Sequence, residues 1–354
     1  MSTIPAGSKV LVTGANGYFG SWVSKVLLDR GYFVRGTVRT APKGEALKEA
    51  LKSPNFEYIV VDDILKVGSI TGSGAFDDAV KDVDGIVHTA APILTPEGDP
   101  EEVIGPAVKG TRTLLESAKS YGNRLKRIVA TSSVSSVVDM SRQTFYKYTE
   151  ADWNDNCVKE VNERGAAATP LAKYNASKTL AERAVWDFAE ANKNSISFDF
   201  ATVLPSVTWG PVLLPMSKPT DSSATLGYLW NFIKNPAADS STFTNYFANV
   251  VDVRDVGELH VEALLRPDAA GHRFLFGPYP MYPQFVYDAV NRTEALKAKG
   301  VTAATGNPGA TDKLPLPLEF DNEPARTILG ITPRPIETAI VETVTVFADA
   351  GLLP

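Results

Sequence analysis

A tyrosine and a lysine stand four residues apart in Tyr174-Asn175-Ala176-Ser177-Lys178, at the head of an amphipathic stretch. Four residues are about one helical turn, so the phenol and the ammonium leave the same helix face. A phenol with a pKa of ~10 exchanges protons poorly at neutral pH, and a neighbouring cation stabilises the phenolate and eases that exchange. Lys178 can also hydrogen-bond the ribose of a nicotinamide cofactor and fix its ring. Lys173 shows how easily a Tyr–Lys neighbour arises, so the pair takes its meaning from the segments upstream. One of these is Ala130-Thr131-Ser132-Ser133-Val134-Ser135-Ser136, where a strand pattern ends in hydroxyls. A hydroxyl at the carboxyl end of a central strand lies where α/β sheets bind ligands, and it can donate to a carbonyl oxygen and polarise it. The remaining serines read as turn and capping residues.

The other upstream segment is Thr13-Gly14-Ala15-Asn16-Gly17-Tyr18-Phe19-Gly20, between the first strand pattern and the first helix pattern. Glycines spaced by three suit a sharp turn, a close approach to a pyrophosphate and tight packing of helix on strand. The helix N-terminus adds N–H groups and a positive dipole end. Without a ligand the same residues would make only a tight strand–helix turn. The second strand ends Gly36-Thr37-Val38-Arg39, with Lys43 four residues on and no acidic residue between Asp29 and Glu45. A site for NAD would place a carboxylate here for the ribose 2′-hydroxyl. Arg39 instead offers a planar fork suited to a 2′-phosphate, and Lys43 adds a point charge. The expected cofactor is therefore NADPH/NADP; the alternative is a pair of solvated loop charges. Thr89-Ala90-Ala91 ends another strand pattern with residues small enough for a cofactor to lie against the backbone.

These groups need a scaffold, and the pattern supplies one. Strand patterns cover residues 9–13, 32–38, 56–61, 85–90, 127–132 and 197–204, with helix patterns over 20–30, 107–121 and 172–192. Strands alternating with helices imply a parallel sheet covered on both faces. The expected fold class is α/β, a Rossmann-type doubly wound parallel sheet with a smaller, discontinuous C-terminal substrate domain. After Pro205, prolines at 211, 215, 219 and 236 mark a change of texture. Residues 1–205, with 249–266 returning to them, form the expected cofactor domain; residues 206–248 and 267–354 form the substrate region, with helices over 283–299 and 336–351.

The Gly-x-x-Gly-x-x-Gly spacing, with the segments VTGANGYFGS, RGTVR, VHTAAP, ATSSVSS, YNASK and LPSVTWGP, resembles the extended short-chain dehydrogenases/reductases over residues 9 to about 265. Within them it is most similar to yeast NADPH-dependent carbonyl reductases of the methylglyoxal/isovaleraldehyde type and to the dihydroflavonol and cinnamoyl-CoA reductases. The resemblance implies Ser133, Tyr174 and Lys178 as catalytic residues, with Ser132 the alternative serine. It implies that Asp63 and Ile64 hold the adenine, although Asp63 reads equally as a helix N-cap. It also implies that the backbone around Pro205 and Val207 holds the nicotinamide carboxamide. The expected reaction is hydride transfer from NADPH to an aldehyde, ketone or keto ester, with Tyr174 giving the proton. Candidate pocket walls are Ile93, Val134, Tyr146, Asn175, Ser206, Val207 and Trp209, each of which would also serve as core. Two other readings use the same scaffold: a nucleotide-sugar epimerase or dehydratase, which Arg39 disfavours, and an NADP-sensing protein without activity.

Composition limits the alternatives. The 354 residues carry a net charge of −6, which disfavours a nucleic-acid binder, since that would need a basic face. One cysteine, Cys157, forms no internal disulfide, and three dispersed histidines give no metal spacing. Residues 1–8 lack a signal-peptide pattern, and no apolar run reaches the ~18 residues of a membrane span. The expected setting is cytoplasmic, without membrane or nucleic-acid partners, as a monomer or a homodimer.

Overall fold

Apolar runs that need cover on both faces pair side by side here, and amphipathic helices close over them. The computed structural model describes residues 4–67, 74–91, 98–142, 144–311, 314 and 316–353. The chain begins β1 (Lys9–Thr13), α1 (Tyr18–Asp29), β2 (Phe33–Val38), α2 (Ala41–Leu51), β3 (Phe56–Val60), β4 (Gly85–His88), α3 (Pro100–Tyr121) and β5 (Arg127–Thr131). It continues through β6 (Tyr146–Tyr148), α4 (Asp155–Arg164), α5 (Pro170–Asn192), β7 (Asp199–Pro205), β8 (Val207–Trp209), α6 (Ala224–Lys234), β9 (Ala248–Asp252) and α7 (Val253–Leu265). It ends with β10 (Arg273–Phe276), β11 (Tyr279–Met281), α8 (Pro283–Arg292), α9 (Glu294–Ala298), β12 (Leu318–Phe320), α10 (Glu323–Thr327) and α11 (Ile336–Asp349).

Seven strands form the main sheet in the order β10-β7-β5-β4-β1-β2-β3, and every pair is parallel. The sheet is Rossmann-like and doubly wound. In β1, Val10 and Val12 join the core under α1 and α7, while Leu11 joins the core under α3 and α5. Cover on both faces is why the run is continuously apolar. Strand order reverses between β1 and β4, and the crevice at their carboxyl ends is where such sheets bind ligands.

Several elements differ from the sequence expectation. Helix α3 begins at Pro100, with Asp99 accepting from the Glu101 N–H as its cap, and runs through Pro106. Helix α2 was not foreseen: Pro42 falls in its first turn, where proline is tolerated, Leu47 is buried, and Gly44 gives room to the Tyr58 ring. The helix expected over 283–299 breaks at Thr293 into α8 and α9. Strand β10 lies within 267–354, the stretch expected to serve the substrate region, yet it completes the main sheet beside β7. The unit expected to return as one piece divides: α7 packs on the main sheet, while β9 joins a small sheet ordered β11-β9-β8.

That small sheet, with α6, α8 and α11, encloses a second apolar core. Trp209 lies in it, fully buried, with its indole N–H donating to the Thr225 carbonyl at 2.9 Å and its ring stacked on Phe247. The expectation that Trp209 walls a substrate pocket is therefore corrected: β8 directs it into the core. Among the described residues no helix is long and apolar enough to cross a membrane. Trp209→Ala is expected to lower stability by about 3–5 kcal/mol through the cavity it leaves, read from the midpoint of urea unfolding.

Candidate functional site

The loop after β1 is built on two close approaches. Gly14 sits at φ +64°, and a Cβ there would fall 2.9 Å from the Ala90 Cα. A Cβ on Gly20 would fall 2.4 Å from the Gly14 carbonyl oxygen and 2.9 Å from Thr89 Oγ1. Thr37 ties the loop to β2, its Oγ1 accepting from the Gly14 N–H and its carbonyl from the Ala15 N–H, both at 3.0 Å. The N-cap of α1 is Gly17, which has no side chain to accept from the first turn, so those N–H groups lack helical partners. The side chains of Tyr18 and Phe19 turn away. Tyr18 is buried with its hydroxyl donating to the Gly210 carbonyl at 2.7 Å, and Phe19 packs between the two cores. Only their backbone is left to face a ligand.

A cavity of about 860 Å³ runs along this loop. Gly14, Asn16, Gly17, Arg39, Lys43, Asp63, Ile64, Thr89, Ala90 and Ala91 line it, ten positions that the sequence placed around a cofactor. Arg39 and Lys43 are exposed and make no ion pair among the described residues. Lys43 lies in the first turn of α2, which carries no acidic residue. Asp63 accepts from the Leu65 N–H at 2.8 Å in a turn, not at the helix N-cap that the sequence also allows. The opposite wall, Leu214, Pro215, Asp221 and Ser222, comes from the proline-punctuated loop and was not foreseen. A smaller cavity of about 140 Å³ includes Tyr174 and Lys178 in its lining and shares Ile64, Ala90 and Ala91 with the larger one. The two cavities are therefore neighbours across these three residues.

Helix α5 brings Tyr174 and Lys178 together, with the Lys178 ammonium 5.9 Å from the centre of the Tyr174 ring. The helix starts at Pro170 behind Thr169, whose side chain accepts from the Ala172 N–H. Lys173 points elsewhere, buried and donating to the Gly98 and Ala166 carbonyls. The two serines separate cleanly. Ser132 donates to buried Glu182 at 2.6 Å, whereas Ser133 only accepts, from the Ser135 N–H at 3.1 Å. The Ser133 hydroxyl proton is thus left for a ligand.

Glu182, on α5, is the centre of this region. It accepts from Ser132 and Ser136 at 2.6 Å, from Thr202 at 2.9 Å and from Arg273 at 2.7 and 3.1 Å. Arg273 stacks on Trp153, 3.7 Å from the ring centre, and donates to the Glu150 and Asp152 carbonyls. Burial opposes the Glu182 charge, but Arg273 and the two serines prevail and hold its carboxyl below the usual range. Nothing local in the sequence marks this group, because its two charged members lie 91 residues apart.

Beyond the strand ends, Pro205 closes β7 opposite Phe276, and Val207 pairs with Val250 in the small sheet; neither side chain lines the two cavities. Val134 packs in a cluster with Leu204, and the Tyr146 hydroxyl is held by Asp152 at 2.8 Å. Asn175 and Ser206 are buried. Ile93 lies outside the described residues.

A family model described as the NAD dependent epimerase/dehydratase family matches residues 10–277. The putative NADPH-dependent methylglyoxal reductase of Candida albicans is 32% identical over 338 residues, covering 92% of this chain and 94% of that one. A ketoreductase of Aspergillus niger is 34% identical over 353 residues, covering 95% and 96%. Among solved structures, yeast methylglyoxal/isovaleraldehyde reductase complexed with NADPH superposes with a TM-score of 0.80 at 28% identity, covering 97% of this chain and 99% of that one.

His88, at the end of β4, lines the smaller cavity with its Nδ1 2.7 Å from Thr13 Oγ1. Burial, and secondarily the Lys178 charge, push its pKa down to about 4. The unfolded chain takes up this proton near pH ~6.5, so the stability contribution is full above that value and is lost as pH falls toward the folded value. His88→Gln is expected to flatten the decline of unfolding free energy between these limits by up to ~1.4 kcal/mol per pH unit, measured by urea unfolding across pH.

Proposed function

The chain belongs to the NAD dependent epimerase/dehydratase family, and we propose that it is an NADPH-dependent reductase of aldehydes, ketones or keto esters with Tyr174 as proton donor. It is an oxidoreductase of the extended short-chain type that acts on carbonyl and alcohol groups with NADP. The supporting observation is a pair of neighbouring cavities, the larger lined by the exposed cations Arg39 and Lys43 and the smaller by the Tyr174–Lys178 pair, which share Ile64, Ala90 and Ala91. The residues present fit a phosphorylated dinucleotide: a loop where added Cβ atoms would clash, a helix end with free N–H groups, and unpaired cations beyond β2.

Bound NADPH supplies the hydride that reduces the carbonyl carbon. The first turn of α1 and the glycine loop hold its pyrophosphate, and Arg39 with Lys43 hold the 2′-phosphate. Ser133, its oxygen already engaged by the Ser135 N–H, donates a hydrogen bond to the carbonyl oxygen, keeping its own proton, and offsets the charge that develops there. Tyr174 transfers its phenolic proton to that oxygen, and the Lys178 ammonium faces the negative charge left on the ring. Glu182 borders the smaller cavity with its carboxylate already filled by hydrogen bonds, and it fixes Ser132 and Ser136 on either side of Ser133.

The test is loss of NADPH absorbance, with NADH in parallel, against aldehydes, aryl ketones and keto esters. The expected kcat/KM favours NADPH by at least ~10-fold, and Arg39→Ala removes most of that preference, as loss of a charge-assisted contact of ~1.5–3 kcal/mol requires. Equal use of both cofactors, or a preference unmoved by Arg39→Ala, would contradict the assignment.

A further inference from the structure

The smaller cavity has two helical walls. Val103, Ala107 and Thr111 of α3 form one, and Tyr174, Ser177 and Lys178 of α5 form the other. Tyr174 stands at the thin end of its wall. Lys173 closes the first turn of α5, and Tyr174 opens the second. The apolar cluster around these turns is small: Cys157, Val161 and three alanines, with Ile104 of α3 against it. The Tyr174 ring is 41% exposed, and its hydroxyl has no hydrogen bond among the described residues. Helix ends fray, so something other than the ring must hold this turn.

Lys173 is placed to do so. It is 3% exposed, and its ammonium donates to the Gly98 carbonyl at 2.7 Å and to the Ala166 carbonyl at 2.8 Å. Gly98 precedes Asp99, the cap of α3, and Ala166 lies in the short turn between α4 and α5. One side chain thus ties the start of α3 and that turn to the start of α5. Its placement is unfavourable on two counts. Among the described residues it makes no ion pair, so the charge is buried against carbonyls alone. The N-terminal end of a helix is also the positive end of its dipole, where an ammonium is disfavoured. A methionine would fill the same space without either penalty. What it would lack is the two hydrogen bonds.

We propose that Lys173 is a positioning residue, whose ammonium clamps the first turn of α5 to the start of α3 and so holds the Tyr174 ring at the cavity. This deepens the reductase reading and rests on Tyr174 as its proton donor. Lys173 lines neither cavity, so it acts through its neighbour. Adjacent residues leave a helix on different faces, which lets Lys173 turn toward Gly98 while Tyr174 borders the cavity. Placement governs the rate because proton transfer is steep in distance: a displacement of about 1 Å can slow a reaction ~100-fold.

Lys173→Met keeps the stem and removes the donors. Turnover is measured with the aldehyde, aryl ketone or keto ester that the parent reduces fastest, per NADPH site counted by fluorescence quenching. The expected kcat falls by at least ~10-fold, with the NADPH dissociation constant within about twofold of the parent. In the Tyr174→Phe background no phenolic proton remains to be placed, and there Lys173→Met is expected to change kcat by less than about twofold. Lys173→Gln keeps a donor for one carbonyl and is expected to fall between the parent and Lys173→Met. It replaces Lys173→Met in the cycle if that variant does not fold. A kcat unmoved by the substitution overturns the clamp. So does an equal fall in the Tyr174→Phe background, which would mark a general effect on the fold. So does a parallel loss of NADPH affinity, which would assign Lys173 to cofactor binding. A parent that oxidises NADPH with none of the panel, or Tyr174→Phe with parental turnover, overturns the Tyr174 reading and the clamp with it. That result is distinguishable from a working Tyr174 that is indifferent to Lys173.

Discussion

A buried carboxylate and a buried guanidinium hold the reactive end of this molecule together. Glu182 and Arg273 bring into one polar knot the helix bearing Tyr174 and Lys178, the serine-rich end of β5, Thr202 of β7 and the start of β10. Two ions out of water are expensive, and their attraction offsets that only with good geometry and saturated hydrogen bonding. Both conditions hold: Ser132, Ser136 and Thr202 fill the remaining carboxylate positions, and Trp153 with two carbonyls fills those of the guanidinium. Losing one partner of such a pair typically costs about 3–5 kcal/mol, because the other is left charged and buried. Ser133 escapes the knot while its neighbours are bound in it, which leaves its hydroxyl both fixed and free.

The other end of the crevice depends on sterics rather than charge. Gly14 and Gly20 let β1, α1 and the end of β4 approach within distances that no side chain tolerates. That closeness leaves the N-terminus of α1 open toward the crevice. Arg39 and Lys43 then stand at its rim without ion-pair partners among the described residues, where an anion can meet them. Tyr18 and Trp22 reach from α1 to the Gly210 and Pro211 carbonyls, so the helix that fronts the crevice also anchors the second core.

Local features were legible and distant ones were not. The glycine spacing, the residues after β2 and the Tyr174–Lys178 interval follow from short-range rules of turn, dipole and helix face, and these residues line two neighbouring cavities. Trp209 misled because an aromatic next to a candidate cofactor strand looks like a pocket wall, whereas β8 belongs to a separate small sheet with its own core. The wall formed by Leu214, Pro215, Asp221 and Ser222 has no periodicity to read. Helix α2 was hidden by Pro42 and Gly44: Pro42 falls in the first turn, where no helical N–H bond is lost, and the burial of Leu47 offsets Gly44. The different settings of Ser132 and Ser133 were not legible, because Glu182, which accepts from Ser132, lies 50 residues further along the chain.

The central claim is that Tyr174 moves the proton while the rest of the crevice binds and places. The most direct test is Tyr174→Phe, which removes one oxygen from an exposed ring and leaves every buried contact intact. NADPH binding, followed by quenching of protein fluorescence, is expected to match the parent protein, while kcat falls by at least ~100-fold, the share a positioned general acid supplies. Retained turnover with NADPH binding unchanged would contradict the account and place the proton donor elsewhere.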